Sequence, residues 1–285
     1  METTQTSRSR ATGLALLASI GFVWMSLSGV AAAAELVIPG SGNPEYVLGA
    51  LAKAFNARQK ETTVMVPPSV GTAGAIRDVT EGKALLARVG RALKDDERAK
   101  GLSFIPLGRD AVVFVVGAGV SARSVTGAQM IEVYSGKISD WRQIGAKPGP
   151  IRAIGREPSD ASRQALAVYI NTFRDMSFSA NVKMVHLDPQ LIELLDRFNT
   201  SLGVLNRSAL YAAKTKVIPL AIDKIEPSQE NLISGRYPMW LELGLIHRTG
   251  ATLGSQAQAF LDFIASPDGT RILRDHGLVQ PAAKS

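Results

Sequence analysis

From Ala111 to Val116 the chain reads Ala-Val-Val-Phe-Val-Val, with no polar side chain. Strand residues point alternately to the two faces of a sheet, so such a run needs apolar cover on both sides. The run therefore predicts a central strand of an α/β sheet with helices on either face.

The flanking segments follow that pattern. Strands are predicted at Leu36–Pro39, Thr62–Val66, Ala84–Val89, Leu102–Pro106, Ile151–Gly155, Val182–His186, Leu202–Leu205, Val217–Ile222 and Tyr237–Ile246. Between them lie helical repeats. Val47, Leu48, Leu51, Ala52 and Phe55 recur at helical spacing. Leu166, Tyr169, Ile170 and Phe173 do so within a helix expected over 161–173. Helices are also expected at 126–134, 188–199, 208–213, 228–234, 255–265 and 269–275. The charged run Lys94–Lys100 reads as a solvated helix face. Alternation of this kind predicts a mostly parallel sheet, whose ligands sit beyond the carboxyl ends of the strands.

Three small-residue turns occupy those ends: Gly40-Ser-Gly-Asn-Pro44, Pro67-Pro-Ser-Val-Gly-Thr-Ala-Gly-Ala75, and Arg156-Glu-Pro-Ser-Asp-Ala-Ser162. Each leads from a strand into a helix start, where backbone N–H groups lack partners and carry partial positive charge. At the third turn, Arg156, Ser159 and Ser162 add a guanidinium and two hydroxyls, which suits an oxyanion. The plainer alternative is that Ser159 or Asp160 is an ordinary helix cap and Arg156 a surface charge. Asp160 is expected to cap the helix and point away from any cleft.

The chain of 285 residues carries a formal net charge of +7 and no cysteine. Thiol nucleophiles and thiolate metal sites are excluded. The basic surplus suits an anionic partner, but no dense Lys/Arg block interleaves with aromatics, which disfavours nucleic acid. Arg8 and Arg10, the uncharged run Gly13–Val30 and the small residues Ala31–Ala34 read as a secretory leader, residues 1–34, cleaved before Glu35. With no cysteine at the junction, lipid attachment there is excluded, and a soluble periplasmic protein is expected. His186, His247 and His276 lie far apart, so no metal and no cofactor is expected.

Several motifs in order resemble the substrate-binding component of the phosphate-specific ABC transporter, within the type II periplasmic binding proteins. They are Gly40-Ser-Gly-Asn43, Ser69-Val-Gly-Thr-Ala-Gly-Ala-Ile76, Ala87 to Glu97, Ile105 to Phe114, Tyr134-Ser-Gly-Lys-Ile-Ser-Asp-Trp141 with Ile144-Gly145, Gly155 to Arg163, Tyr237 to Leu241, and Phe260 to Gly269. The resemblance implies two Rossmann-like lobes joined by two crossing strands, with the ligand in the cleft. Lobe I would comprise 35–112 plus 237–285, and lobe II 113–236. It also implies a monomer that captures inorganic phosphate, or a similar oxyanion, for an inner-membrane ABC permease. The implied ligand residues are Ser41, Gly42, Asn43, Gly71, Thr72, Arg91, Arg156, Ser159 and Ser162, with Ala73 and Gly74 as backbone donors. In the enteric members an aspartate accepts the phosphate proton; the matching position here is Arg91, which leaves phosphate and sulfate less clearly separated.

Sulfate, molybdate or tungstate binding, or a sensory role on the same fold, stands as the alternative. A periplasmic enzyme finds little support, because the chain lacks Gly-x-Ser-x-Gly, a Walker loop and the dinucleotide fingerprint.

Overall fold

The computed structural model describes residues 34–213 and 215–280. The leader expected at 1–34 lies outside them, apart from Ala34. Among the described residues no helix is long and apolar enough to cross a membrane.

The strands in chain order are β1 (Ala34–Val37), β2 (Thr62–Met65), β3 (Ala87–Val89), β4 (Leu102–Val116), β5 (Ser124–Val125) and β6 (Arg152–Gly155). They continue with β7 (Lys183–Met184), β8 (Ser201–Asn206), β9 (Ile218–Pro219), β10 (Ala221–Ile222) and β11 (Trp240–Arg248). The central sheet runs β3-β11-β4-β8-β6-β7, with β9 also on β4. Strands linked through helices are parallel: β1 with β2, and β6 with both β7 and β8. By contrast β11 is antiparallel to β3 and β4, and β4 to β8. The sheet is thus mixed rather than mostly parallel. The long strands β4 and β11 carry the chain out and back, so they must oppose each other.

The central apolar run forms the second half of β4. Val112–Val116 pairs with β8, while Leu102–Ala111 pairs with β11. Gly108-Arg-Asp110, expected to separate two strands, instead lies within this one 15-residue strand. Its register against β11 shifts between Leu243 and Gly244, opposite Leu107, so a bulge absorbs the irregularity. The segment expected as one strand over Val217–Ile222 is split at Leu220 into β9 on β4 and β10 on β5.

Helix Glu45–Asn56 buries Val47, Leu48, Leu51, Ala52 and Phe55, as their spacing requires. The helix expected to reach Phe173 ends at Tyr169; Ile170 leaves helical geometry before a 3-10 turn at Asn171–Phe173. Tyr169 accordingly faces outward, its hydroxyl 2.9 Å from Asp223 Oδ2. The charged run shrinks to one turn, Asp95–Arg98, and Glu97 is buried rather than solvated. Trp141 is buried and its Nε1 donates to the Thr200 carbonyl at 2.8 Å. Phe114, Tyr134, Phe173 and Phe178 pack edge-on or tilted beneath β4, with ring centroids 4.7–6.5 Å apart.

Candidate functional site

Four strand-to-helix turns open on one cavity of about 680 Å³. They follow β1, β2, β6 and β7, and lead into helices beginning at Glu45, Gly71, Ala161 and Asp188. Ser41, Gly42, Asn43, Gly71, Thr72, Ala73, Arg91, Arg156 and Ser159 all line it. Gly74 is not among its lining residues, and a Cβ there would meet Val70. Ser162 does not line it either. Its hydroxyl is buried and accepts from Asn43 Nδ2 at 2.9 Å, tying the turn after β1 to the helix after β6.

The first two turns are held from behind by Arg88 of β3, whose side chain is 0% exposed. Its Nε donates to the Ser41 carbonyl at 2.8 Å and its Nη2 to the Pro67 carbonyl at 2.6 Å. Nη2 also meets Glu45 Oε2 at 3.1 Å. Burial lowers the Arg88 pKa, and Glu45 partly opposes that. One buried guanidinium therefore fixes both loops relative to each other. Gly71 takes a φ of +73°, which a residue without Cβ adopts freely, and it opens the helix Gly71–Thr80 toward the cavity. Thr72 Oγ1 accepts from the Gly90 N–H at 3.2 Å, so its hydroxyl proton remains available to a ligand.

The third turn differs from expectation. Asp160 does cap its helix, Oδ1 accepting from the Ser162 and Arg163 N–H groups at 2.9 and 3.2 Å. It does not point away: Oδ2 accepts from Arg156 Nε and Nη2 at 3.2 and 2.8 Å, and the residue lines the cavity. This helix start has thus spent two of its free donors. On its other side Arg156 Nη1 lies 3.0 Å from Asp188 Oδ1. Arg156 is 6% exposed, yet Nη1 has no well-directed hydrogen bond, and Asp188 Oδ2 has no partner.

Electrostatics follow from this geometry. Burial works against the charge of Arg156, but two carboxylates outweigh it and raise its pKa. Asp188 has one cation and two like-charged neighbours. Its own burial comes first, Arg156 opposes it, and Asp160 and Glu45 add to it, so the carboxyl is pushed up to about 6. Tyr46, half-buried beside Asp188 and Glu45, is raised to about 12, by its burial first and then by the two carboxylates. Arg91 lines the cavity but is held bidentately by Glu97, both contacts at 2.7 Å. That hydrogen-bonded pairing raises Arg91 and lowers Glu97.

The cavity is lined by Arg91, Lys94 and Arg156 against Glu45, Glu157, Asp160 and Asp188, with His186 paired to Glu157 at 2.7 Å. It is not a simple basic pocket. Hydroxyls, helix-start N–H groups and a guanidinium offer donors, while carboxylates offer acceptors. Such a set suits an oxyanion that still carries a proton. Among the described residues no cluster of three metal-ligating side chains occurs.

Glu45, Asp188, Lys94 and His186 were not anticipated from the sequence. Asp188-Pro189 follows a strand and begins a helix, the same local signature as the other three turns, and could have been found by it.

A sequence model described as a PBP superfamily domain matches residues 26–268. The phosphate-binding protein PstS of Bacillus subtilis (strain 168) is 25% identical over 255 residues, covering 87% of this chain and 81% of its own. A putative phosphate ABC transporter substrate-binding protein with bound phosphate, from Clostridium perfringens, is similar with a TM-score of 0.77 at 21% identity, covering 87% of this chain and 100% of that one. An ABC-type phosphate transport receptor from Vibrio cholerae gives 0.65 at 22% identity, covering 86% and 100%. At these identities the structural likenesses establish the fold.

Proposed function

The chain belongs to the PBP superfamily, and from that premise we propose that it is a periplasmic binding protein that captures inorganic phosphate for an inner-membrane ABC transporter. The observation that carries this reading is the buried Arg156. Its Nη1 lacks a well-directed hydrogen bond, on a cavity that also presents Ser41, Thr72, Ser159 and two uncapped helix starts. Relatives along most of the chain are named phosphate-binding proteins.

Ser41, Gly42, Asn43, Gly71, Thr72, Arg156 and Ser159 would contact the anion, and Ser162 would act through Asn43. Arg91, clamped by Glu97, would contribute charge from the rim. The carboxylates of Asp160 and Asp188 on the cavity favour a hydrogen phosphate, which brings a proton, over sulfate, which brings none at neutral pH and meets their repulsion. The separation of phosphate from sulfate thus falls to these carboxylates rather than to position 91.

The lobes are residues 35–112 plus 237–285, and 113–236. This division is supported by the change of β4 partner, from β11 to β8, between Ala111 and Val112. Closing them buries the anion among fixed dipoles. The monomer is exported by the leader at 1–34 and, lacking cysteine, carries no lipid on one. Its role is binding and delivery, with no catalytic step.

Calorimetric titration of the protein from Glu35, stripped of ligand, tests this with phosphate, sulfate, molybdate and tungstate. One-to-one phosphate binding with sulfate at least tenfold weaker is expected, and Arg156→Lys should weaken phosphate strongly because the planar fork is lost. Binding of none of the four would overturn the reading.

A further inference from the structure

The cavity of about 680 Å³ is much larger than orthophosphate needs. Liquid water takes about 30 Å³ per molecule, and a four-oxygen anion displaces only a few waters. The two sides of the cavity already touch at its base. Asn43 Nδ2 meets Ser162 Oγ at 2.9 Å, and a Cβ on Gly90 would lie 3.3 Å from Ala161 Cβ.

Next to it lies a second cavity of about 350 Å³, lined by Lys94, Pro158, Arg163, Gln164, Ala167, Phe173 and Arg174. Lys94 and Gln164 border both cavities. The second holds three cations and no carboxylate, in contrast to the compensated first. Arg163 is buried and each of its three guanidinium nitrogens already donates to a carbonyl. It donates to the Phe173, Arg156 and Met176 carbonyls at 3.3, 3.1 and 2.6 Å and stacks 4.0 Å over Phe178. It supplies a fixed positive field. Lys94 and Arg174 are exposed and form no ion pair among the described residues, so their donors are free.

Resting on the oxyanion reading of the main site, we propose that the protein also binds an anion of two directly bridged phosphoryl groups, pyrophosphate in the first instance. One group takes the Arg156 site and the other the Lys94–Arg174 annex. Lys94 and Gln164 border both cavities, so the two adjoin, and the shortest link between two phosphoryl groups, a P–O–P bridge, is the one to test first. The extra negative charge of pyrophosphate is met by Arg174, which does not border the main cavity.

The test is calorimetry on the protein from Glu35 in magnesium-free buffer, with orthophosphate and pyrophosphate, on wild type, Arg174→Ala and Arg174→Glu. Arg174 borders only the annex and is exposed, so the fold is expected to survive both changes. Pyrophosphate should bind one-to-one, compete with orthophosphate, and weaken about fivefold in Arg174→Ala and further in Arg174→Glu, while orthophosphate stays within twofold. Orthophosphate binding without pyrophosphate binding would overturn the inference and leave the phosphate reading intact. So would pyrophosphate binding indifferent to Arg174. Pyrophosphate binding without orthophosphate binding would support the annex and overturn phosphate as the ligand. Binding of neither anion would overturn both.

Discussion

Replacing Asp188 with asparagine should make the protein more stable at neutral pH. The carboxyl is 5% exposed, touches Arg156 with one oxygen and leaves the other unpaired. Burial, with Asp160 and Glu45 nearby, lifts it to about 6, against about 3.9 in an unfolded chain. The native state therefore holds this proton more tightly than the unfolded state. The stability it confers is complete below about pH 4 and is lost as pH rises through about 6. Two pH units at 1.36 kcal/mol each give about 3 kcal/mol lost by pH 7. An amide of the same shape does not titrate, so Asp188→Asn should match wild type near pH 4 and exceed it by up to about 3 kcal/mol at pH 7. For a chain of this size that is on the order of 5–10 °C in Tm. Asp110, wholly buried and also lifted to about 6 by burial, keeps its own share of the pH slope in the variant. Urea unfolding of phosphate-free protein from pH 4 to 8 measures both curves. Parallel curves, or a variant weaker than wild type at pH 7, would refute the reasoning. The variant should meanwhile bind phosphate less well, the expected trade at a site that retains an uncomfortable charge.

Two further changes probe how the loops are held. In Gly90→Ala the new Cβ would lie 2.6 Å from Asn43 Oδ1 and 2.9 Å from Ser41 Oγ; phosphate affinity should fall tenfold or more by calorimetry, and an unchanged affinity would remove Ser41 and Asn43 from the site. Arg88→Met strips the Ser41 and Pro67 carbonyls of their buried donor and leaves Glu45 unpaired; a loss of about 3–5 kcal/mol in urea unfolding is expected, and a loss under 1 kcal/mol would contradict the bracing role.

Periodicity made most of the fold legible. Ala111–Val116 announced a strand covered on both faces, and Val47 to Phe55 a helix with one buried stripe; both depend only on neighbours along the chain. The same holds for the turns at Ser41, Thr72 and Arg156, where small residues after a strand and before a helix predict exposed N–H groups wherever the fold places them. Gly108 misled because glycine marks a break in isolation, whereas here pairing with β11 carries the strand through a bulge. Arg88 looked like one more residue of a short strand. Only the approach of the turns after β1 and β2 makes it a brace.

The sequence by itself determined the α/β class and three of the four loops that meet the cavity, since these follow from local spacing and backbone chemistry. The tertiary structure alone decided the electrostatic character of the site. Arg156 is set between Asp160 and Asp188, Arg91 is clamped by Glu97, and Ser162 turns toward Asn43 and out of the cavity. The physical reason is that a charge's effect depends on its burial and on what lies within a few ångströms. Asp188 is far from Arg156 along the chain, so neither quantity is written in local order.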